Sequence, residues 1–158
     1  MSGIDVLELE EQPFVLIGGP RGEFPDGDPV PRTAVVGARL VVSPVGSLMR
    51  QIVDDLLAEG AALHIAAEVA HRTSILPLVL QGVGLAVLPS AWAPLARSAG
   101  ARIARIEPTA HLRVALLSRV APMTPAARAF LAVARAYRPA DHLGALAPHA
   151  GPVPAGEV

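Results

Sequence analysis

Between residues 40 and 88 the hydrophobic pattern switches repeatedly between short β-branched runs and helical spacing, and few architectures accept that alternation. Residues 40–42 are apolar and too few for a helix, so they read as a strand. Ser43, Pro44 and Gly46 make a turn, and Ser47 stands where a helix N-cap is wanted. From there Leu48, Met49, Ile52, Val53, Leu56 and Leu57 fall on one helical face. Arg50, Gln51, Asp54, Asp55 and Glu59 fall on the other, and Gly60 ends the helix. ALHIAAEVA alternates as a second strand. HRTSILPLVLQGVGLAVLP then runs turn, helix, glycine stop and strand. Pro77 has no amide hydrogen and suits only the first helical turn, which puts the cap near Thr73 or Ser74. Gly82 and Gly84 close this helix, and residues 85–88 form a fully buried strand. Strands alternating with helices predict an α/β fold with mainly parallel pairing.

The flanks extend the same logic. QPFVLIGG is a short apolar run closed by Gly18 and Gly19 and reads as a buried strand. PRGEFPDGDPVPRT is too rich in Pro, Gly and Asp for helix or central strand, so it is a surface loop. A short helix over 91–98 leads to the strands ARIARIEP and LRVALLSRV. TPAARAFLAVARAY opens with Thr124 as cap and Pro125 at the first helical position, and Phe130, Val133 and Tyr137 share its predicted buried face. Residues 138–158 are Pro, Gly and Ala with little to pack and read as a disordered tail.

Several function classes fall away on composition. At 158 residues the chain holds one ordinary domain or two small lobes, and 52% hydrophobic residues against 17% charged exclude an unfolded polymer. A domain that grips nucleic acid shows a basic stripe, whereas here the net charge is −1 and the basic residues, all arginine, are scattered. Without cysteine there is no disulfide and no thiolate chemistry. The start, MSGIDVLELEEQ, carries acids where a secretory signal needs a basic end, and ILPLVLQGVGLAVLP is too short for a membrane span. A cytoplasmic location, with no membrane contact, is the expectation.

No residue pattern argues for catalysis or a cofactor. Gly82 and Gly84 lack a third glycine, and they end a helix before a strand, the reverse of a dinucleotide fingerprint. GGPRGE lacks the Lys-Ser/Thr of a phosphate loop. Ser47 has Gly46 before it but Met49 two residues on, so it is no nucleophile elbow. The five histidines show no metal-ligand spacing. Two turns remain where a small molecule can be held. The first is Ser43, Pro44, Val45, Gly46 and Ser47, where free amides and the helix dipole favour an anion beyond the carboxyl end of a strand. The plainer alternative is that Ser47 only caps its helix. The second is His71, Arg72 and Thr73, where Arg72 can grip a carboxylate with both arms. Equally, Arg72 can be a solvated surface residue neutralised by Glu68.

EVAHRTSILPLVLQGVGLAVLP, with LVVSPVGSLMRQIVDDLLAEG before it and LRVALLSRVAPMTPAARAFLAVARAY after it, resembles the effector-binding domain of bacterial LysR-type transcription regulators. The order and spacing of these segments carry the resemblance over residues 6–137, and VLELEEQPFVLIGGPRGEFP looks like the family's segment crossing between lobes, without its His-Pro-Leu-Ala-like loop. Pro77, and His71 at the usual cap position, also depart from the common pattern. The resemblance implies a two-lobed, periplasmic-binding-protein-like (type 2) α/β fold. Residues 20–107 would form a complete second lobe, and residues 6–19 and 108–137 a partial first lobe. It implies a small organic, anionic effector in the cleft, contacted by the turn 43–47 and by 71–73, and homo- or hetero-oligomers with LysR-type subunits. The family's winged helix-turn-helix would lie before Met1, so this chain would make no direct contact with nucleic acid and would be a truncated regulator. Two other functions stay open: a non-sensing fragment that dimerises with an intact relative, and a small α/β enzyme.

Overall fold

The computed structural model describes residues 3–57, 63–120 and 122–139. In chain order its elements are β1 (Ile4–Gly18), β2 (Val30–Pro31), β3 (Arg39–Val42), α1 (Leu48–Leu57), β4 (His64–Glu68), α2 (Ile75–Leu80), β5 (Ala86–Pro89), α3 (Ala93–Ser98), β6 (Arg102–Glu107), β7 (His111–Arg119) and α4 (Pro125–Ala136). Short 3-10 turns stand at Arg32–Ala34, Arg72–Ser74 and Ser90–Trp92. The expected ends of α1 at Gly60 and of the tail from residue 140 onward lie outside the described residues.

β1 is the spine, and its two halves have different neighbours. From Phe14 onward it runs antiparallel between β5 and β6. β2 lies parallel to β6 at one edge. At the other side β5 meets β3 through a bridge between Leu85 and Leu40, and β3 pairs in parallel with β4. The α/β class is as expected, but the sheet is mixed rather than mainly parallel. The β3-α1-β4 unit makes its parallel pair as predicted, whereas β1 enters from outside that alternating run and lies against both its neighbours in the opposite sense. Alternation of elements does not record that sense.

Residues on β1 alternate between two cores. Phe14 and Leu16 pack with Val53, Leu56 and Leu57 of α1, while Val15 and Ile17 pack with Ile75, Leu76 and Val79 of α2 and Ala96 of α3. A strand buried on both faces needs an unbroken apolar run, which FVLI supplies. The α1 stripe is as predicted for Val53, Leu56 and Leu57, with Met49 and Ile52 half-buried. Leu48 is the correction: at 62% exposed it sits in the first turn, beyond the edge of the sheet.

α2 holds Pro77 in its first turn and ends in a Schellman arrangement. Gly82 takes φ +79°, its N–H donates to the Val79 carbonyl at 2.9 Å, and the Val83 N–H donates to the Leu78 carbonyl at 3.1 Å. Neither Thr73 nor Ser74 makes the expected side-chain cap. Ser74 is already helical at φ −85°, ψ −13°, because the preceding 3-10 turn feeds straight into α2, and a hydroxyl caps from an extended residue.

β1 is longer than the apolar run from Gln12 predicts: it begins at Ile4, and its first half forms a two-stranded antiparallel ribbon with β7. α4 lies against β1, and the Tyr137 hydroxyl donates to the Glu10 carboxylate at 3.1 Å, which raises the phenol pKa above its ordinary value; burial and the Glu10 charge add to the shift. Leu131 is the buried residue of this helix. Phe130 and Val133, expected inside, are 62% and 71% exposed, and Tyr137 is 44% exposed. A two-stranded ribbon is too narrow to cover the whole apolar face of the helix. The start of α4 is as predicted: Thr124 is extended and its side chain accepts from the Ala127 N–H at 3.2 Å. Thr124→Ala is expected to lower stability by about 1 kcal/mol, read as a fall in the denaturation midpoint, whereas Thr124→Ser keeps it.

Candidate functional site

Both sequence-predicted turns leave the carboxyl end of the β3–β4 pair. Val42 and Glu68 are partners in that ladder, and the Val69 N–H donates to the Val42 carbonyl at 3.0 Å, so the chain departs from neighbouring points. In the first turn Gly46 takes φ +87°, which lets the chain fold back sharply into α1. Ser43, Pro44 and Ser47 are half-buried, and Val45 and Gly46 are exposed. The Ser47 hydroxyl donates to the Pro44 carbonyl at 2.8 Å and accepts from the Arg50 N–H at 3.2 Å. It therefore caps α1, which is the plainer of its two expected roles.

His71, Arg72 and Thr73 are all exposed, with Arg72 and Thr73 inside the 3-10 turn that precedes α2. The Arg72 guanidinium touches the Met49 sulfur, in the first helical turn of α1, at 3.9 Å. Glu68 does not neutralise it. That carboxylate binds Arg50 at 3.1 Å, and Arg50 also holds Asp54 at 2.7 Å. Arg50, in the first turn of α1, thus takes both carboxylates. Among the described residues, Arg72 has no carboxylate partner.

The two turns thus leave neighbouring strand ends, and two hollows among the described residues lie away from them. One of about 940 Å³ sits at the opposite ends of the same strands, against Arg39, His64 and Gly84. Its charges are mixed, Arg21 and Arg39 with Glu23 and Asp26, which selects for no one sign of ligand. A smaller one, about 260 Å³, lies between Ile52, Asp55 and Leu56 of α1 and the β6–β7 connection at Pro108, Thr109 and Ala110, with Arg32 at its rim. Sequence reasoning missed this second hollow. Its only local signal is Pro108, since Asp55 looks like any solvated helix residue until the connection is brought beside it.

That connection is where the chain returns from the main sheet to the ribbon. Phe14 N–H donates to the Ala110 carbonyl at 3.0 Å, and the Thr109 hydroxyl donates to the Phe14 carbonyl at 3.0 Å. Two strands, β1 and β6 running on into β7, therefore join the main body to the ribbon.

The sequence profile of the LysR substrate binding domain matches residues 1–139. The chain belongs to this family. It is also 30% identical over 109 residues to the uncharacterized HTH-type transcriptional regulator YfeR of Shigella flexneri, an alignment covering 68% of this chain and 35% of that protein. Among solved structures it resembles the effector-binding domain of QuiR in complex with shikimate (TM-score 0.68, 21% identity), covering 84% of this chain and 64% of that one. It likewise resembles the regulatory domain of Synechocystis PCC6803 CcmR in complex with 2-PG (TM-score 0.69, 18% identity), covering 85% and 67%. The LysR family transcriptional regulator CbnR is a third neighbour, at TM-score 0.67 and 21% identity, with 85% of this chain and 47% of CbnR covered. The fold is therefore that of the LysR effector-binding domains, which are periplasmic-binding-protein-like. The LysR substrate-binding chain spans about a third of YfeR and about two thirds of the QuiR domain. The relatives named as such are transcription regulators, not enzymes. No helix among the described residues is long and apolar enough to cross a membrane.

Proposed function

We propose that these residues sense a small organic anion as the effector-binding module of a cytoplasmic LysR-type transcription regulator, and make no direct contact with DNA themselves. Arg72 carries the reading: an exposed guanidinium without a carboxylate partner among the described residues, set against the N-terminal turn of α1. Both the cation and the helix N-terminus attract negative charge. On this reading residues 20–107 form the second lobe, and residues 6–19 and 108–137 belong to the first lobe and its connections. Bound anion would draw the lobes together about the two-strand connection at Pro13 and residues 108–110, and a ligand that prefers the closed form shifts the population toward it. The effector would be contacted by backbone amides of residues 43–47 and by the side chains of 71–73.

A thermal-shift screen of small organic acids, with shikimate and 2-PG among them, tests this. At a hundredfold excess over Kd a specific ligand adds about 2.7 kcal/mol of stability, an easily read rise in Tm. Arg72→Gln is expected to weaken that ligand about tenfold to a hundredfold, the worth of a charged hydrogen bond, and to leave the unliganded Tm unchanged. A folded chain that no acid stabilises would sink the proposal.

The exposed apolar side chains on the ribbon and α4 favour a second reading, a non-sensing fragment that pairs with an intact LysR-type subunit. Co-purification with such a subunit, at unchanged yield for Arg72→Gln, separates it from the first.

A further inference from the structure

The larger hollow is lined only by residues between Gly19 and Leu85, so neither the ribbon nor the two candidate turns contribute to it. At about 940 Å³ it is as large as the clefts, about 300–1,000 Å³, in which proteins hold small molecules. One wall is the loop after β1, where the family's His-Pro-Leu-Ala-like stretch is missing and GGPRGEFPDGDP stands instead. Its composition is that of a loose connection, yet it is fastened. Arg102 of β6 donates to the Gly19 carbonyl at 2.9 Å and to the Gly22 carbonyl at 2.7 Å, and its guanidinium lies over the Phe24 ring, 4.9 Å from the centroid. Farther along, Asp28 accepts from the Arg105 N–H at 2.9 Å and from its side chain at 3.1 Å. Both ends of the stretch are thereby tied to β6. Between the ties stand Glu23 and Asp26, whose carboxylates have no partner among the described residues.

The other wall is basic and equally fixed. Arg39 and His64 open β3 and β4, where they are partners in the ladder. The Arg39 guanidinium donates to the Val83 carbonyl at 2.6 Å, and this holds it at the hollow while leaving its other N–H groups to bind. β5 stands between β1, which the acidic loop leaves, and β3. Two strand spacings, roughly 10 Å, therefore separate the acidic side from the basic one. Arg21 shares the loop with Glu23 and Asp26, but the two carboxylates outnumber it.

We propose that this hollow is a second ligand site, for a zwitterion whose ammonium and carboxylate are held apart by a short chain, as in an ω-amino acid or a dipeptide. Its ammonium meets Glu23 and Asp26, and its carboxylate meets Arg39 and His64. A simple anion or cation satisfies one wall and leaves the other unpaired. An α-amino acid carries both charges on one carbon and cannot reach across, whereas two extended residues span about 7 Å and the side chains of both walls supply the remainder. This inference does not depend on the effector reading, because it uses none of the residues of the two turns.

Calorimetric titration of the full chain with glycylglycine and with 4-aminobutyrate tests it, and saturable binding of at least one is expected. Acetate, ethylamine and glycine should each bind at least about tenfold more weakly, the usual worth of a charged hydrogen bond. The double variant Glu23→Gln, Asp26→Asn is expected to weaken the zwitterion about tenfold to a hundredfold. Both residues are exposed and unpaired among the described residues, so the unliganded Tm should stay as it is. Arg72→Gln should leave this binding unchanged, which separates it from any effector held at the turns. The proposal is overturned if neither zwitterion binds, if acetate, ethylamine or glycine binds as tightly, if the double variant binds normally, or if Arg72→Gln abolishes binding.

Discussion

Phe14→Ala is expected to remove about 3–5 kcal/mol of stability, out of a total that for domains of this kind is typically about 5–15 kcal/mol. Phe14 is 1% exposed and sits where β1 passes from the ribbon into the main sheet. Its ring belongs to the core beneath α1, and Ala110 and Leu112 from the returning strand pack against that core. Truncation leaves both backbone hydrogen bonds to residues 109 and 110 in place, so the loss is the ring's transfer energy plus the cavity it leaves. Phe130→Ala is the matched control, because the same side chain is 62% exposed on α4 and its removal should cost within about 0.5 kcal/mol. Urea titrations of both variants check the contrast. Equal losses would mean that β1 does not thread the core as described.

That contrast also marks what the sequence carried. The stretches that could be placed from the residues alone are those whose conformation is set within a few positions: Thr124 and Pro125 starting α4, Pro77 confined to the first turn of α2, Gly82 ending it. The α1 stripe was legible because three of its residues meet the apolar residues that the sheet turns toward them. What could not be read depends on which elements become neighbours. Periodicity says that Phe130, Val133 and Tyr137 share a face, not that the ribbon beneath is too narrow to cover it. It marks Glu68 as four residues from Arg72, but Arg50 comes in from α1 and takes the carboxylate. For the same reason Pro108 alone hints in the sequence at the hollow beside Thr109 and Asp55. The family resemblance supplies the global pattern that local rules cannot: it alone implies that the turns at 43–47 and 71–73 serve one cleft.

The two glycines of the QGVGL stretch look alike in sequence, and the structure separates them by cause. Gly82 takes φ +79° with open space where a Cβ would be, so Gly82→Ala is expected to cost only the left-handed backbone strain, about 1–2 kcal/mol. Gly82→Asn should recover part of it, since asparagine tolerates that conformation. At Gly84 a Cβ would fall 2.5 Å from the Arg39 carbonyl oxygen and 3.0 Å from its carbon, and backbone cannot swing aside. The strand would have to shift. The Leu85 N–H bond to that same oxygen, 2.7 Å, helps hold β5 to β3, so the shift would loosen the join between the main sheet and the pair that carries both candidate turns. Gly84→Ala is therefore expected to cost about 2–4 kcal/mol, an overpacking strain of about 1–3 with roughly 1 more for the weakened hydrogen bond. Gly84→Asn should be worse, because what is lacking there is room. Denaturation midpoints of the four variants would show the ordering. If asparagine rescues position 84 as it does position 82, then the close approach of β5 to β3 is not what requires the second glycine.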